Sequence, residues 1–365
     1  MTDIRADQAA TEEAPVGPPS TASASRSRWR AGAGRNIGLV VALGLLCLAG
    51  VVTAGDRFAS VDNVLTILRL ASTIGVVSIG MTFVITGGGI DLSVGAILAL
   101  SSVWATTVAT QNMATDTHWV VMAFVAIAVG VGCGVVNGVL IAYGKIVPFI
   151  ATLAMLASAR GLAEIMSDRK TQIARVDGFA GFFGADWFGI PVLVVIFALV
   201  SLAGWILLNR STFGRRTLAV GGNPEAARLA GINVTRHTVM LYVLVGATCG
   251  LAAIMLIART TTGTSTHGNL YELDAIAAVV IGGTLLSGGR GTIVGTIFGV
   301  LIFSTLTNIF TLNNQSFSTQ SVVKGVIIVV AVLLQQRFAD RSGAKSSGPV
   351  PSSVSIQQSQ QGEIQ

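Results

Sequence analysis

Apolar runs long enough, or nearly so, to cross roughly 30 Å of hydrocarbon alternate with short polar connectors along most of the chain. Ten such runs fall at approximately 36–54, 64–86, 93–110, 119–142, 146–166, 190–208, 238–258, 274–287, 291–311 and 320–335. Runs of this length and polarity predict helices, because a backbone in lipid must satisfy its own hydrogen bonds. The third and the eighth are the weakest, since glycine clusters interrupt the sequence beside them. The fold expected is an all-α polytopic membrane protein of about 10 transmembrane helices, some broken at glycine-rich stretches. Residues 1–35 and 336–365 are rich in small and polar residues and are expected as disordered tails, leaving 36–335 as the membrane domain. The arginines ahead of the first run resemble the n-region of a signal peptide. No small-residue cleavage site follows, so the run is read as a retained helix.

Composition agrees with this pattern. The 365 residues are 52% hydrophobic and only 11% charged, where a soluble domain carries roughly 25% charged residues. Forty-three glycines against 6% aromatics suggest helices packed backbone to backbone. The net charge of +6 would suit nucleic acid in a soluble protein. Here the positive-inside rule accounts for it, and no nucleic-acid partner is expected. With both termini cytoplasmic, 15 of the 23 basic residues lie inside, including five arginines in the connector 209–237. The reverse orientation would export the densest arginine clusters. Residues 167–189 then form a mixed-charge external loop, a solvated connector or a docking surface. Cys47, Cys133 and Cys249 sit in apolar runs without paired spacing and read as packing residues.

Two glycine stretches break the helical pattern. In ITGGGIDLSVGAILAL, from Ile85 to Leu100, three glycines end one helix, and Asp91 with Ser93 can cap the next. An aspartate near membrane depth is expensive and reads as functional by default, with dipole capping as the plainer role. In GGTLLSGGRGTIVGTIFGV, glycines 291, 295 and 299 keep the spacing that lets helices approach closely. Neither stretch has the lysine of a phosphate-binding loop or the strand-then-helix context of a dinucleotide site. Broken helices whose ends face a cavity are what transporters use to build substrate routes. Asn137, Thr152, Thr284, Thr305 and Asn308 also lie at membrane depth, and with Asp91 and Ser93 they are candidates for a polar pathway suited to a neutral, hydroxyl-rich solute. Hydroxyls in such helices more often bond their own backbone or a neighbour. Asp91, Glu164 and Asp274 read as isolated carboxylates, which counts against an ion-coupled transporter. His118, His237 and His267 lie at or near loops with no cysteine or acidic pair beside them, which counts against a membrane-embedded enzyme or a metal site.

One polar stretch, TLAVGGNPEAARLAGINVTRHTV from Thr217 to Val239, stands between two long apolar runs. Asn223 is a good N-cap, Pro224 suits the first helical position, Glu225 favours the positive end of the dipole, and Gly231 stops the helix. A helix of about two turns is not stable alone and must pack on the bundle or on a partner. It lacks the aromatic and leucine stripe of a helix that lies in the lipid interface, so a protein partner is favoured.

GGNPEAARLAGINV resembles the cytoplasmic coupling segment of ABC-importer permeases of the ribose and monosaccharide type. GGGIDLSVGAILAL, VPFIATLAMLASARGLA and GGTLLSGGRGTIVGTIFG are similar to further stretches of the same family, in the same order, from about residue 60 to 335. The related branched-chain amino-acid permeases share the glycine pattern but differ at IDLSVG, so a sugar is favoured. The resemblance implies a transmembrane permease subunit, not an enzyme, that forms the pathway for a monosaccharide in a bacterial plasma (inner) membrane. It implies a second permease copy, an external sugar-binding protein, and a cytoplasmic ABC ATPase that carries the ATP and magnesium, with no cofactor on this chain. Gly222, Asn223, Glu225, Ala226, Ala227, Arg228, Gly231 and Ile232 would sit in a groove of that ATPase. Nucleosides, an autoinducer furanose and branched-chain amino acids remain alternative solutes.

Overall fold

The structure, a computed structural model, describes residues 21–187 and 189–343. Two compact units divide the chain, Met1–Gly38 and Leu39–Gln365, and the account below concerns the second. Helix α1 is Thr21–Ala54, so it starts inside the segment expected as a disordered tail. Alanine and arginine there are good helix formers and give the apolar run no reason to stop at residue 36. Residues 1–20 and 344–365, the rest of the expected tails, lie outside the described residues.

A short α2 (Asp56–Ala59) leads into α3 (Val61–Thr86), which Ser60 caps by accepting the Asn63 N–H at 3.2 Å. Next come α4 (Val94–Ala105), α5 (Val108–Asp116), α6 (Val120–Ala142) and α7 (Pro148–Ser167). A loop with β1 (Gln172–Ile173), α8 (Phe179–Phe183), β2 (Asp186–Trp187) and β3 (Ile190–Pro191) follows. Then come α9 (Val192–Asn209), α10 (Thr212–Gly222), α11 (Pro224–Leu229), α12 (Val234–Thr260), β4 (Thr262–Gly263), α13 (Tyr271–Ile281), α14 (Ile293–Leu312) and α15 (Phe317–Gly343). Among the described residues, seven helices are long and apolar enough to cross a membrane, or eight if α4 and α5, bent by 57°, count as one span. Beyond that bent pair, which is the expected third segment, two more of the ten fall short as single helices. One is the apolar part of α15, Phe317–Val330. The other is the eighth.

That eighth segment, expected as a helix over 274–287, is built differently. Helix α13 has 11 residues, about 16 Å at 1.5 Å per residue. Ahead of it β4 leads into a run of turns over 265–270 that passes beside α4 in the opposite direction: Gly263 packs on Thr106, the Ser102 hydroxyl donates to the Thr264 carbonyl at 3.5 Å, and Gly268 lies against Gly95. His267 N–H closes on the Thr264 carbonyl at 3.2 Å and Tyr271 N–H on the Gly268 carbonyl at 3.1 Å. Left-handed backbone at Thr261, Gly268 and Leu270 interrupts any longer helix here.

The core lies where α3, α12 and α14 meet, and these three are mostly buried. Large apolar side chains on α1, α6, α7, α9 and α15 face outward, as a lipid-facing surface requires. Glycine sets the closest approach. A Cβ on Gly134 of α6 would lie 3.0 Å from the Val243 Cα of α12, and one on Gly138 would lie 2.8 Å from the Val239 Cα. The same holds between α14 and α13, where a Cβ on Gly299 would lie 3.0 Å from the Ala278 Cα. The three cysteines are free.

Candidate functional site

Two short helices cap one end of the bundle. Ser211 starts α10 by accepting the Gly214 N–H at 3.2 Å, and Asn223 Oδ1 starts α11 by accepting the Ala226 N–H at 3.0 Å. Pro224 fills the first position of α11. Gly231 is left-handed at φ 81° and closes α11, with Ile232 N–H donating to the Ala227 carbonyl at 3.0 Å and Gly231 N–H to the Arg228 carbonyl at 2.9 Å. This paired closure is the glycine C-terminal motif that the sequence predicts. Helix α10 is not among the elements the sequence predicts; Ser211 is its local start signal.

Ala227 is the buried anchor of α11, whereas Leu229 is 89% exposed. Beside Leu229, Arg228 Nη1 donates to both Glu225 oxygens at 3.0 and 3.1 Å. Helix α10 is held to α12 by Thr217 and His237, whose hydroxyl and Nε2 are 2.9 Å apart, and by the Phe213 ring 4.7 Å from that imidazole. Both residues are buried.

Beneath α10 and α11 the chain meets itself as bare backbone. Gly221 packs on the Thr86 carbonyl at the end of α3, and Gly289 N–H donates to the same carbonyl at 2.9 Å. A Cβ on Gly288 would lie 2.9 Å from the Gly88 Cα, and one on Gly289 would lie 2.9 Å from the Gly222 Cα. Gly88, Gly288 and Gly289 are all left-handed, a conformation glycine adopts without steric cost. Three chain segments therefore share one junction: the α10–α11 turn, the break after α3 and the break before α14. Within the last, Thr284 is buried and its hydroxyl accepts the Thr292 N–H at 3.3 Å.

Asp91, Ser93 and Asn137 form one buried cluster next to this junction. Asp91 Oδ1 accepts the Ser93 N–H at 2.8 Å and the Ser93 hydroxyl at 2.5 Å, and Asn137 Nδ2 donates to that hydroxyl at 3.0 Å. Ser93 stands at the N-cap of α4 but makes no side-chain cap bond, so the capping expected of it is replaced by the bond to Asp91. Asp91 Oδ2 and Asn137 Oδ1 have no partner among the described residues. The other polar candidates lie elsewhere. Thr152 donates to the Pro148 carbonyl of its own helix at 2.9 Å. Asn308 Nδ2 donates to Asn63 Oδ1 at 2.8 Å and joins α14 to α3 at the opposite end of the bundle.

Two of the carboxylates read as isolated are paired. Glu164 accepts from Arg169 at 3.0 Å on the surface, and Asp274 of α13 holds Lys324 of α15 at 2.9 Å, half-helix to last helix. His267 is buried, its Nδ1 3.1 Å from the Ser102 hydroxyl. Arg160 of α7 donates to the carbonyls of Ser265 and His267, the latter at 2.9 Å, and so pins the turns ahead of α13. At this end the loop after α7 is also more ordered than a plain connector. Trp119 stacks on Phe182 with centroids 4.9 Å apart, and β1 pairs with β4. Among the described residues no cluster of three or more His, Cys, Asp or Glu could hold a metal ion.

A profile of the permease component of the branched-chain amino acid transport system matches residues 63–332. The chain belongs to this permease family. It is 45% identical to the ribose import permease protein of Bacillus subtilis (strain 168), over 81% of this chain and 91% of that one. Identity is 40% to the ribose import permease protein of Escherichia coli K12, over 80% and 91%. Identity is 38% to the L-arabinose transport system permease protein of Escherichia coli K12, over 82% and 90%. No solved structure matches the chain. The protein is thus a multi-pass membrane permease, a transport subunit that places its glycine junction directly under two short polar helices.

Proposed function

We propose that the chain is the membrane subunit of an ATP-driven importer of a monosaccharide in a bacterial plasma membrane. Two copies, or one copy with a similar permease, form the route. A cytoplasmic ATPase hydrolyses ATP beneath them, and an external binding protein delivers the sugar. Relatives that carry ribose and arabinose in their names match the chain over four fifths of its length, which favours a sugar over an amino acid.

One observation carries this reading: α11 presents Leu229 bare to its surroundings, beside a charge pair, while Gly221 and Gly222, the end of α10 just ahead of its cap Asn223, form part of the glycine junction. An exposed leucine between charges on a short, firmly capped helix is a surface for a protein groove. Five arginines, Arg210, Arg215, Arg216, Arg228 and Arg236, place that surface on the cytoplasmic side. Motion of α11 would pass through Gly221 and Gly222 to Thr86 and Gly289 without slack, because no side chain intervenes. Both breaks, and the Asp91 cluster behind one of them, would then shift together. Sugar uptake against a gradient needs such an external energy source.

The test is co-purification of the solubilised chain with the ATPase encoded beside its gene. Glu225→Arg combined with Arg228→Glu keeps the i,i+3 pair, the net charge and every apolar segment. The expected result is capture of the ATPase by the native chain and loss of capture by the swapped one, with unchanged elution on gel filtration. Equal capture by both would remove α11 from the contact, and absence of any capture would sink the importer reading.

A further inference from the structure

We propose that the cavity between α3, α13, α14 and α15 is a binding site for a monosaccharide-sized polyol, with the Asp274–Lys324 pair as its polar floor. The inference rests on the reading of the chain as a sugar permease and adds a site that lies within one subunit. The cavity measures about 360 Å³ and lies in the half of the bundle away from α11, beside the point where the turns of 265–270 lead into α13. That volume is in the range of small-molecule pockets, roughly 300–1,000 Å³. It equals the room of about a dozen waters, and a pentose or hexose has a similar count of non-hydrogen atoms.

The chemistry of the lining points to a neutral, hydroxyl-bearing solute. Asp274 and Lys324 are 19% and 16% exposed and sit between helices 50 residues apart in sequence. Charges inside a membrane bundle are costly, usually pair with one another, and read as part of a solute route by default. The bond between them uses one carboxylate oxygen and one of three ammonium protons, so both keep capacity for further partners. A carboxylate can accept two vicinal hydroxyls while the ammonium donates to a third oxygen. Ser304 and Thr307 of α14 and Gln320 of α15 line the same space. Thr307 spends its proton on the Phe303 carbonyl at 2.9 Å and Gln320 its amide on the Gln315 carbonyl at 3.1 Å, so the lone pairs of both remain as acceptors. Phe317 supplies an apolar wall for the C–H face of a sugar ring. The two charges neutralise each other, so nothing in the lining demands a charged solute.

Saturation-transfer NMR on the full chain in lipid nanodiscs tests this, with D-ribose, L-arabinose, D-fructose and L-leucine as probes. At least one sugar should give a saturable signal in the native chain, and leucine should neither give one nor displace the sugar. Asp274→Asn should weaken sugar binding about tenfold and Thr307→Val, outside the ion pair, about threefold. Asp274→Lys combined with Lys324→Asp restores the pair with its members exchanged. A pair that only clamps α15 to α13 would regain native transport in this double variant, and that result overturns the proposal. The site instead predicts a folded protein that still binds sugar about tenfold more weakly. Absence of any sugar signal, displacement by leucine, or native binding by both single variants also overturns it. ATP-driven uptake by the native importer, reconstituted with its ATPase and binding protein, separates the two levels. Uptake without a sugar signal defeats this site alone, and no uptake of any sugar defeats the importer reading.

Discussion

At the α11 end of the bundle, three chain segments touch through Gly88, Gly221, Gly222, Gly288 and Gly289 with no side chain between them. At the other end, the turn segment 262–270 and the half-helix α13 are held by long charged side chains, Arg160 on the Ser265 and His267 carbonyls and Lys324 on Asp274. Both ends break a helix inside the bundle, yet they satisfy the freed backbone in opposite ways. Bare backbone contact transmits displacement directly, since any relative movement must either clash or open a gap. Long side chains hold a position while allowing the partner to shift by rotamer changes. The first suits a lever, and the second suits a surface that must yield to a solute.

A Cβ at the lever should therefore do the most damage. Gly221→Val drives a side chain into the Thr86 carbonyl, which has no room to move because Gly289 also bonds it. Overpacking of a tight site costs typically about 1–3 kcal/mol, and immovable backbone puts this case at about 3 kcal/mol or more. Thermal unfolding in detergent should show it as a clear drop in midpoint, with transport lost. The control is Gly132→Ala, a helical glycine with nothing within 4 Å of the added carbon. There the ordinary helix preference for alanine applies, worth up to about 1 kcal/mol in favour of the variant. Opposite signs for two glycine substitutions would establish the junction, and equal signs would dissolve it.

At the other end the effect should be graded. Arg160→Leu removes both hydrogen bonds to the turn segment 262–270 and leaves two carbonyls without their donor, a loss of about 2 kcal/mol. Arg160→Lys keeps the charge but offers a point donor in place of a planar fork, so it should recover roughly half of that. The measurement is protease protection of the 262–270 segment in nanodiscs. An all-or-none response to Arg160→Lys would contradict the picture of a yielding anchor.

The contrast between the two ends also decides what could be read from sequence. Asn223, Pro224 and Gly231 identify α11 because capping is a local matter, settled within four or five residues. Asp91 and Ser93 are legible as polar groups at the start of α4 for the same reason, but their bond to each other in place of a cap is not. Asn137 joining Ser93 across 44 positions, or Lys324 reaching Asp274 across 50, is not. Such pairs arise from which helices neighbour each other, and hydropathy carries no record of that. The eighth span was misplaced for a different reason. Its first half, TTGTSTHGN from Thr261 to Asn269, is polar and folds as a short strand and turns, so apolar periodicity gives no sign of it. Glycine-rich stretches announced that helices break there, but only the packing says that one break is closed by backbone and the other by arginine.

Leu229 separates stability from function most sharply. At 89% exposure it contributes almost nothing to the folded bundle, so Leu229→Asp should move the unfolding midpoint by no more than the roughly 0.5 kcal/mol usual for surface substitutions. Its effect on the ATPase should be of another order. A leucine that fills a pocket at the centre of an interface is worth about 2 kcal/mol when removed, and burying a carboxylate in its place adds a desolvation penalty on top. Affinity for the ATPase should fall at least about thirtyfold, measured by titration of the purified ATPase onto nanodisc-embedded permease. Leu229→Met, similar in volume and still apolar, should restore most of it. If Leu229→Asp binds the ATPase like the native chain, the exposed leucine is lipid-facing or idle, and the lever must be gripped through Glu225 and Arg228 alone. If binding falls and Leu229→Met does not recover it, the loss came from disturbance of α11, and the contrast between a rigid junction and a free contact face no longer holds.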